Sequence, residues 1–171
     1  IQKAMERAKE VFVEAGERFG EIFGRRYGLF ETYRLEGAEV LIVTAGTLAS
    51  NARLAVDRLR ERGVPAGLLR LRVFRPFPVE ALRKVVSGAR RICVIDRNCS
   101  FGHGGIFAQE LRSALYGTDG GIPIFGYVAG LGGREVTVED IVGMAENSLK
   151  GSPSGKLLLW KGLRGAPDYT T

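Results

Sequence analysis

Glu39-Val-Leu-Ile-Val-Thr-Ala45, followed at once by Gly46-Thr-Leu-Ala-Ser50, is the stretch that decides the fold. Apart from Thr44, the run from Val40 lacks the polar alternation of a half-solvated strand, so it reads as a strand buried on both faces. Gly46 makes the turn. Thr47 then opens a helix with Leu48, Ala52, Ala55, Val56 and Leu59 on one side, closed by Gly63. A strand covered on both sides needs two layers of helices, and the downstream sequence supplies them. Strands are expected over 64–74, 90–96 and 122–128. Helices are expected over 78–87, 105–116 (stopped by Gly117) and 137–149, the last with Thr137 and Asp140 at capping-box spacing. Strands alternating with helices mean βαβ units and an α/β fold with a mostly parallel sheet. Pro153 and Gly155 mark a linker, and Lys156-Leu-Leu-Leu-Trp-Lys-Gly-Leu163 reads as a terminal edge strand.

Upstream, residues 1–25 predict one long helix. Met5, Ala8, Phe12, Ala15, Phe19 and Ile22 recur at steps of three and four and form a single apolar stripe. Phe12, Phe19 and Phe23 are the candidate interface of that helix, against the body of the domain or another chain. The segment carries Glu6, Glu10, Glu14, Glu17 and Glu21, whereas transit peptides are poor in acids. It therefore reads as structure, and the chain as cytoplasmic. Ile1 in place of Met reads as a cut or processed terminus. No apolar run approaches the ~20 residues of a membrane span, so no membrane partner is expected.

The chain has 171 residues, 45% of them hydrophobic, enough for one sizeable core. Its 25 basic residues against 19 acids give a net charge of +6. The arginines are scattered (Arg58, Arg60, Arg62, Arg70, Arg72, Arg75, Arg90, Arg91) without interleaved aromatics, which argues against nucleic acid and suits a basic rim facing an acidic protein. Two cysteines, Cys93 and Cys99, cannot supply four thiolates to an iron–sulfur cluster. His103 is the single histidine, which leaves no histidine-based metal site.

Ligands in open α/β sheets sit beyond the carboxyl ends of the strands, where strand order reverses. Two loops have a suitable composition: Ala45-Gly-Thr-Leu-Ala-Ser50 and Asp96-Arg-Asn-Cys-Ser-Phe-Gly-His-Gly-Gly105. Gly46 and Thr47 on one side, with Arg97, Ser100 and His103 on the other, are the candidate crevice for an anion or a neighbouring domain. The competing reading is that these glycines serve tight strand-to-helix turns and that the loops rest on another subunit. No dinucleotide fingerprint, Walker A sequence or nucleophile elbow occurs.

Tyr27-Gly-Leu-Phe-Glu-Thr-Tyr-Arg34, Arg72-Val-Phe-Arg-Pro-Phe-Pro78, Asp96-Arg-Asn-Cys-Ser-Phe-Gly102 and Gly130-Leu-Gly-Gly-Arg-Glu-Val-Thr137 occur in this order. Together they resemble the alpha subunits of 2-oxoacid:ferredoxin oxidoreductases, with the pyruvate enzymes most similar. The resemblance implies a three-layer α/β/α domain like the transketolase C-terminal domain. Its sheet would have five strands in the order 1-3-2-4-5, the first antiparallel. It also implies a linker helix from an upstream domain over 1–26, the α/β domain over 27–150 and a tail over 151–171. The whole enzyme would use thiamine diphosphate, magnesium, iron–sulfur clusters and coenzyme A to decarboxylate pyruvate oxidatively, with ferredoxin as electron carrier. Upstream alpha-subunit sequence and other oxidoreductase subunits are the implied partners. No catalytic, cofactor or metal residue transfers to this chain; Arg134 joins the candidate interface. Two further readings remain: a stand-alone anion-binding α/β module and a basic nucleic-acid-binding domain. The composition predicts a colourless protein without stoichiometric iron and without tight thiamine diphosphate binding, which metal analysis and calorimetry check.

Overall fold

The computed structural model describes residues 1–118, 121–151, 158–165 and 168. Helix α1 (Gln2–Phe23) precedes a sheet whose strands are β1 (Phe30–Tyr33), β2 (Val40–Ala45), β3 (Ala66–Leu71), β4 (Arg91–Asp96), β5 (Ile124–Ala129) and β6 (Leu159–Lys161). Helices α2 (Leu48–Glu61), α3 (Val79–Val86), α4 (Ile106–Leu115) and α5 (Val138–Lys150) connect them.

The sheet order is β1-β3-β2-β4-β5-β6, with β1 antiparallel to β3 and the other neighbours parallel. The expected order and the reversed first strand are both present, but the expectation of five strands was one short. Leu159, Trp160 and Lys161 pair with Tyr127, Val128 and Ala129, and Leu159 enters the core. The buried outer edge of β5 thereby gains a hydrogen-bonded neighbour. The linker residues Pro153 and Gly155, with Lys156 and Leu157 of the expected edge strand, lie outside the described residues.

The period of two along β2 sorts the core into two halves. Val40 and Ile42 face α2 and α5, among Ala52, Val56, Leu59, Ile141 and Met144. Leu41 and Val43 face α3 and α4, among Leu82, Val86, Ala108 and Leu111. Three layers result. The capping box at α5 is in place: the Asp140 N–H donates to the Thr137 hydroxyl at 3.1 Å, and the Thr137 N–H to the Asp140 carboxylate at 2.9 Å. Cys93 is fully buried, and burial pushes its thiol up to about 12. This is a core residue and not a nucleophile. Strand β3 is shorter than expected, because after Leu71 the chain turns so that the N–H groups of Arg72 and Val73 both donate to the Leu29 carbonyl.

Helix α1 meets the rest of the chain through small residues. Only Gly16 and Gly20 are buried in it. A Cβ at Gly16 would lie 1.8 Å from the Tyr27 carbonyl oxygen, so returning backbone crosses the helix directly at that glycine. Phe19 stacks at a tilt on Tyr27, with ring centroids 5.4 Å apart. Lys9 reaches Glu80 of α3 at 3.6 Å. Phe23 is 58% exposed and Phe12 37%.

Gly16→Ala is expected to pry α1 from the chain at Tyr27 and to accelerate amide hydrogen exchange across residues 5–23. Gly20→Ala would meet Arg26 Cγ at 2.3 Å, a side chain that can rotate away where the Tyr27 backbone cannot, and is expected to accelerate exchange less. Equal protection in the two variants would contradict the crossing.

Candidate functional site at the carboxyl ends of the strands

The chain runs from β2 to β3 on one side and returns to β4 on the other, so the order reverses between β2 and β4. The ladder opens there. Pairing of β2 with β3 continues to Ala45 and Leu71, whereas pairing with β4 stops at Val43 and Val94. Thr44 explains how the opening is tolerated. Its hydroxyl donates to the Ile95 carbonyl at 2.9 Å and satisfies an acceptor that the ladder no longer reaches.

Beyond the opening, Asp96 is fully buried and turned toward α4. The Phe107 N–H donates to its Oδ1 at 2.9 Å and the Ala108 N–H to its Oδ2 at 3.1 Å. Asn98 donates to Asp96 Oδ1 at 3.2 Å, and its own Oδ1 accepts from the Ile106 N–H at 3.0 Å. The positive end of α4 therefore holds a carboxylate from its own chain. Burial pushes the Asp96 carboxyl above its ordinary value, against the opposing pull of these donors and of Arg112. Gly105 makes the approach possible: a Cβ there would sit 2.3 Å from Asp96 Oδ2.

The five crevice candidates have different local partners. Gly46 and Thr47 lie where β2 enters α2. Arg97 leans the other way, toward the carbonyls of Gly130 and Arg134 at 3.4 and 3.5 Å. Ser100 and His103 belong to an exposed turn closed by the Ser100–Gly104 bridge, and the His103 carbonyl accepts from Gln109 at 2.7 Å. Arg134 donates to the Gly162 carbonyl and ties the β5–α5 loop to the segment after β6.

Gly46 instead lines a cavity of about 470 Å³ with Phe12, Tyr27, Arg70, Leu71 and Arg72. Composition and loop chemistry did not single out this group. Glu31 of β1 stands opposite Arg70 of β3 in the antiparallel register and also meets Arg53 of α2 and Arg72. The one local signal was the Arg70-Leu-Arg72 alternation, which would place both arginines on the same side if the strand continued past Leu71.

Residues 38–141, from the start of β2 to the first turns of α5, match the family model of the pyruvate:ferredoxin oxidoreductase core domain II. The chain belongs to this family. Pyruvate synthase subunit PorA of Methanothermobacter thermautotrophicus is 40% identical over 150 residues, covering 86% of this chain and 38% of that protein. Ketoisovalerate oxidoreductase subunit VorA of Pyrococcus horikoshii is 44% identical over 159 residues, covering 92% and 40%. The chain thus spans about two fifths of the length of these curated relatives. A split-gene transketolase, an inactive β4 tetramer, shares the fold with a TM-score of 0.57 at 20% identity, over 73% of this chain and 43% of that one. In core domain II as it stands here, the matched segment contains Asp96, Asn98 and Gly105, the set that caps α4, but leaves out α1, β1 and β6.

Asp96→Ala is expected to strip the Phe107 and Ala108 amides of their acceptors and to lower unfolding free energy by about 2–4 kcal/mol in urea titration. Asp96→Asn, which keeps one acceptor oxygen, is expected to lose less.

Proposed function

We propose that this chain is the transketolase-C-terminal-like assembly domain of the alpha-type subunit of a thiamine-diphosphate-dependent 2-oxoacid:ferredoxin oxidoreductase. The observation that carries the proposal is the family match across residues 38–141, together with relatives at 40% and 44% identity. The whole enzyme oxidatively decarboxylates pyruvate to acetyl-coenzyme A and passes the electrons to ferredoxin. The two relatives are named for different 2-oxoacids, pyruvate and ketoisovalerate, and the shared chemistry is that of a 2-oxoacid.

The donor sets here do not fit the enzyme's cofactors. Thiamine diphosphate is anchored through a hard cation that needs oxygen ligands, and the described residues include no group of three or more His, Cys, Asp or Glu able to hold a metal. Cys93 and Cys99 are the only two cysteines in the sequence. On this reading the chemistry belongs to other domains and subunits, and this domain serves assembly. Val11, Phe12, Val13, Ile22 and Phe23 of α1 are exposed and form the surface that meets the upstream domain or another subunit. None of the described helices is long and apolar enough to cross a membrane. The setting proposed for the enzyme is the cytoplasm.

The test uses the intact subunit purified with its partners. Pyruvate- and coenzyme-A-dependent reduction of ferredoxin is expected from the assembly and none from the 171-residue chain. In the assembly, Phe12→Asp with Phe23→Asp is expected to reduce co-purification of the partner subunits at least tenfold, since two buried aromatic contacts are lost. An assembly whose reduction of ferredoxin is unaffected by any 2-oxoacid would overturn the reading, as would an assembly inert with every 2-oxoacid.

A further inference from the structure

We propose that Arg53, Arg70 and Arg72 form a binding site for a phosphate group at the carboxyl ends of β2 and β3, with Glu31 as its internal stand-in. The three guanidinium groups come from three places, namely α2, β3 and the turn after β3, and converge on one carboxylate. Arg53 lies 3.3 Å from Glu31, Arg70 3.6 Å and Arg72 2.5 Å.

A structural ion pair needs one cation. Three around one acid leave a local formal charge of +2. Each guanidinium offers five N–H donors, while a carboxylate accepts about four hydrogen bonds. Donors thus exceed acceptors several-fold. Crowding like charges in this way is unfavourable in proportion to how far they are removed from water, and a further anion would relieve it.

The groups are also held ready. Arg70 and Arg72 are only 31% and 23% exposed at the side chain. Arg53 lies over the Tyr33 ring at 4.4 Å and Arg72 over the Tyr27 ring at 4.7 Å, contacts that fix the planes of both guanidiniums and lower the entropy cost of binding. Arg70 forms a wall shared by two adjoining cavities. One, of about 470 Å³, holds Arg72, Tyr27 and Gly46; the other, of about 220 Å³, holds Arg53, Glu31 and Ser50. The first is large enough for a small ligand.

The first turn of α2 borders this space without an acidic residue and without a side-chain cap from Thr47, so it adds positive potential. Strand carboxyl ends are where parallel sheets receive ligands. A phosphate monoester carries about two negative charges near neutral pH, which matches the excess. Its planar pairs of oxygens also suit bidentate guanidinium contacts. The same match makes Glu31 the competitor that a bound phosphate must displace or share donors with. This assignment does not depend on the oxidoreductase reading.

Inorganic phosphate, titrated into the 171-residue chain at low ionic strength and followed by calorimetry and by NMR of the arginine Nε–H groups, is the test. Saturable binding is expected, with shifts confined to Arg53, Arg70 and Arg72. Arg70→Gln and Arg72→Gln are each expected to weaken it about tenfold, the loss of one charge-assisted contact. Glu31→Gln is expected to tighten it several-fold, and Arg90→Gln, on a distant surface pair with Glu39, to leave it unchanged. Circular dichroism confirms that each variant folds. If Glu31→Gln fails to fold, the arginine variants decide. No saturable binding by the wild-type chain overturns the proposal, as does equal weakening by Arg70→Gln and Arg90→Gln, the mark of diffuse surface charge.

Discussion

A buried carboxylate at the end of β4 fixes the geometry of this domain. Asp96 has no exposed surface, and taking a charge out of water is costly unless donors surround it. The first turn of α4 supplies those donors, so strand and helix stabilise each other's polar groups across a loop of nine residues, 97–105. The direction in which α4 leaves the sheet follows, and with it the layer that α4 and α3 form over Leu41 and Val43. It also gives the glycine-rich loop a structural role. Gly105 is where Asp96 passes close to backbone, and the α4 terminus, which on composition alone looked ready for an external anion, already holds an internal one.

The architecture was legible because its signals are local. The unbroken apolar run of β2, the stripe of α2 and the Thr137–Asp140 box each lie within a few residues, and each formed as read. Strand order was not contained in periodicity; it came from resemblance. The sixth strand escaped that resemblance although the run around Leu159 was visible, since a strand's neighbour is set by pairing across α5 and not by its own composition.

The site was harder to read for the same reason. Loop composition drew attention to Arg97, Ser100 and His103, yet Arg97 turns toward the Gly130 loop and the other two sit in a tight exposed turn. The residues that do converge are Glu31, Arg53, Arg70 and Arg72, spread over more than forty positions and joined by the antiparallel pairing of β1 with β3. Glu31 lies outside the segment that the family model covers, while the three arginines lie inside it. A pattern confined to one stretch of chain cannot show a cluster assembled from three.

Helix α1 adds a different kind of constraint. Where it crosses the chain at Tyr27, the contact is made by backbone against a glycine, with no side chain between them. Such a joint is indifferent to what the helix carries elsewhere. The outward residues around Val11, Ile22 and Phe23 take little part in holding the helix down, so they can change in character without loosening it. The same domain body can in this way carry an α1 of different outward surface, because the mounting is a matter of backbone geometry and not of the side chains that face away.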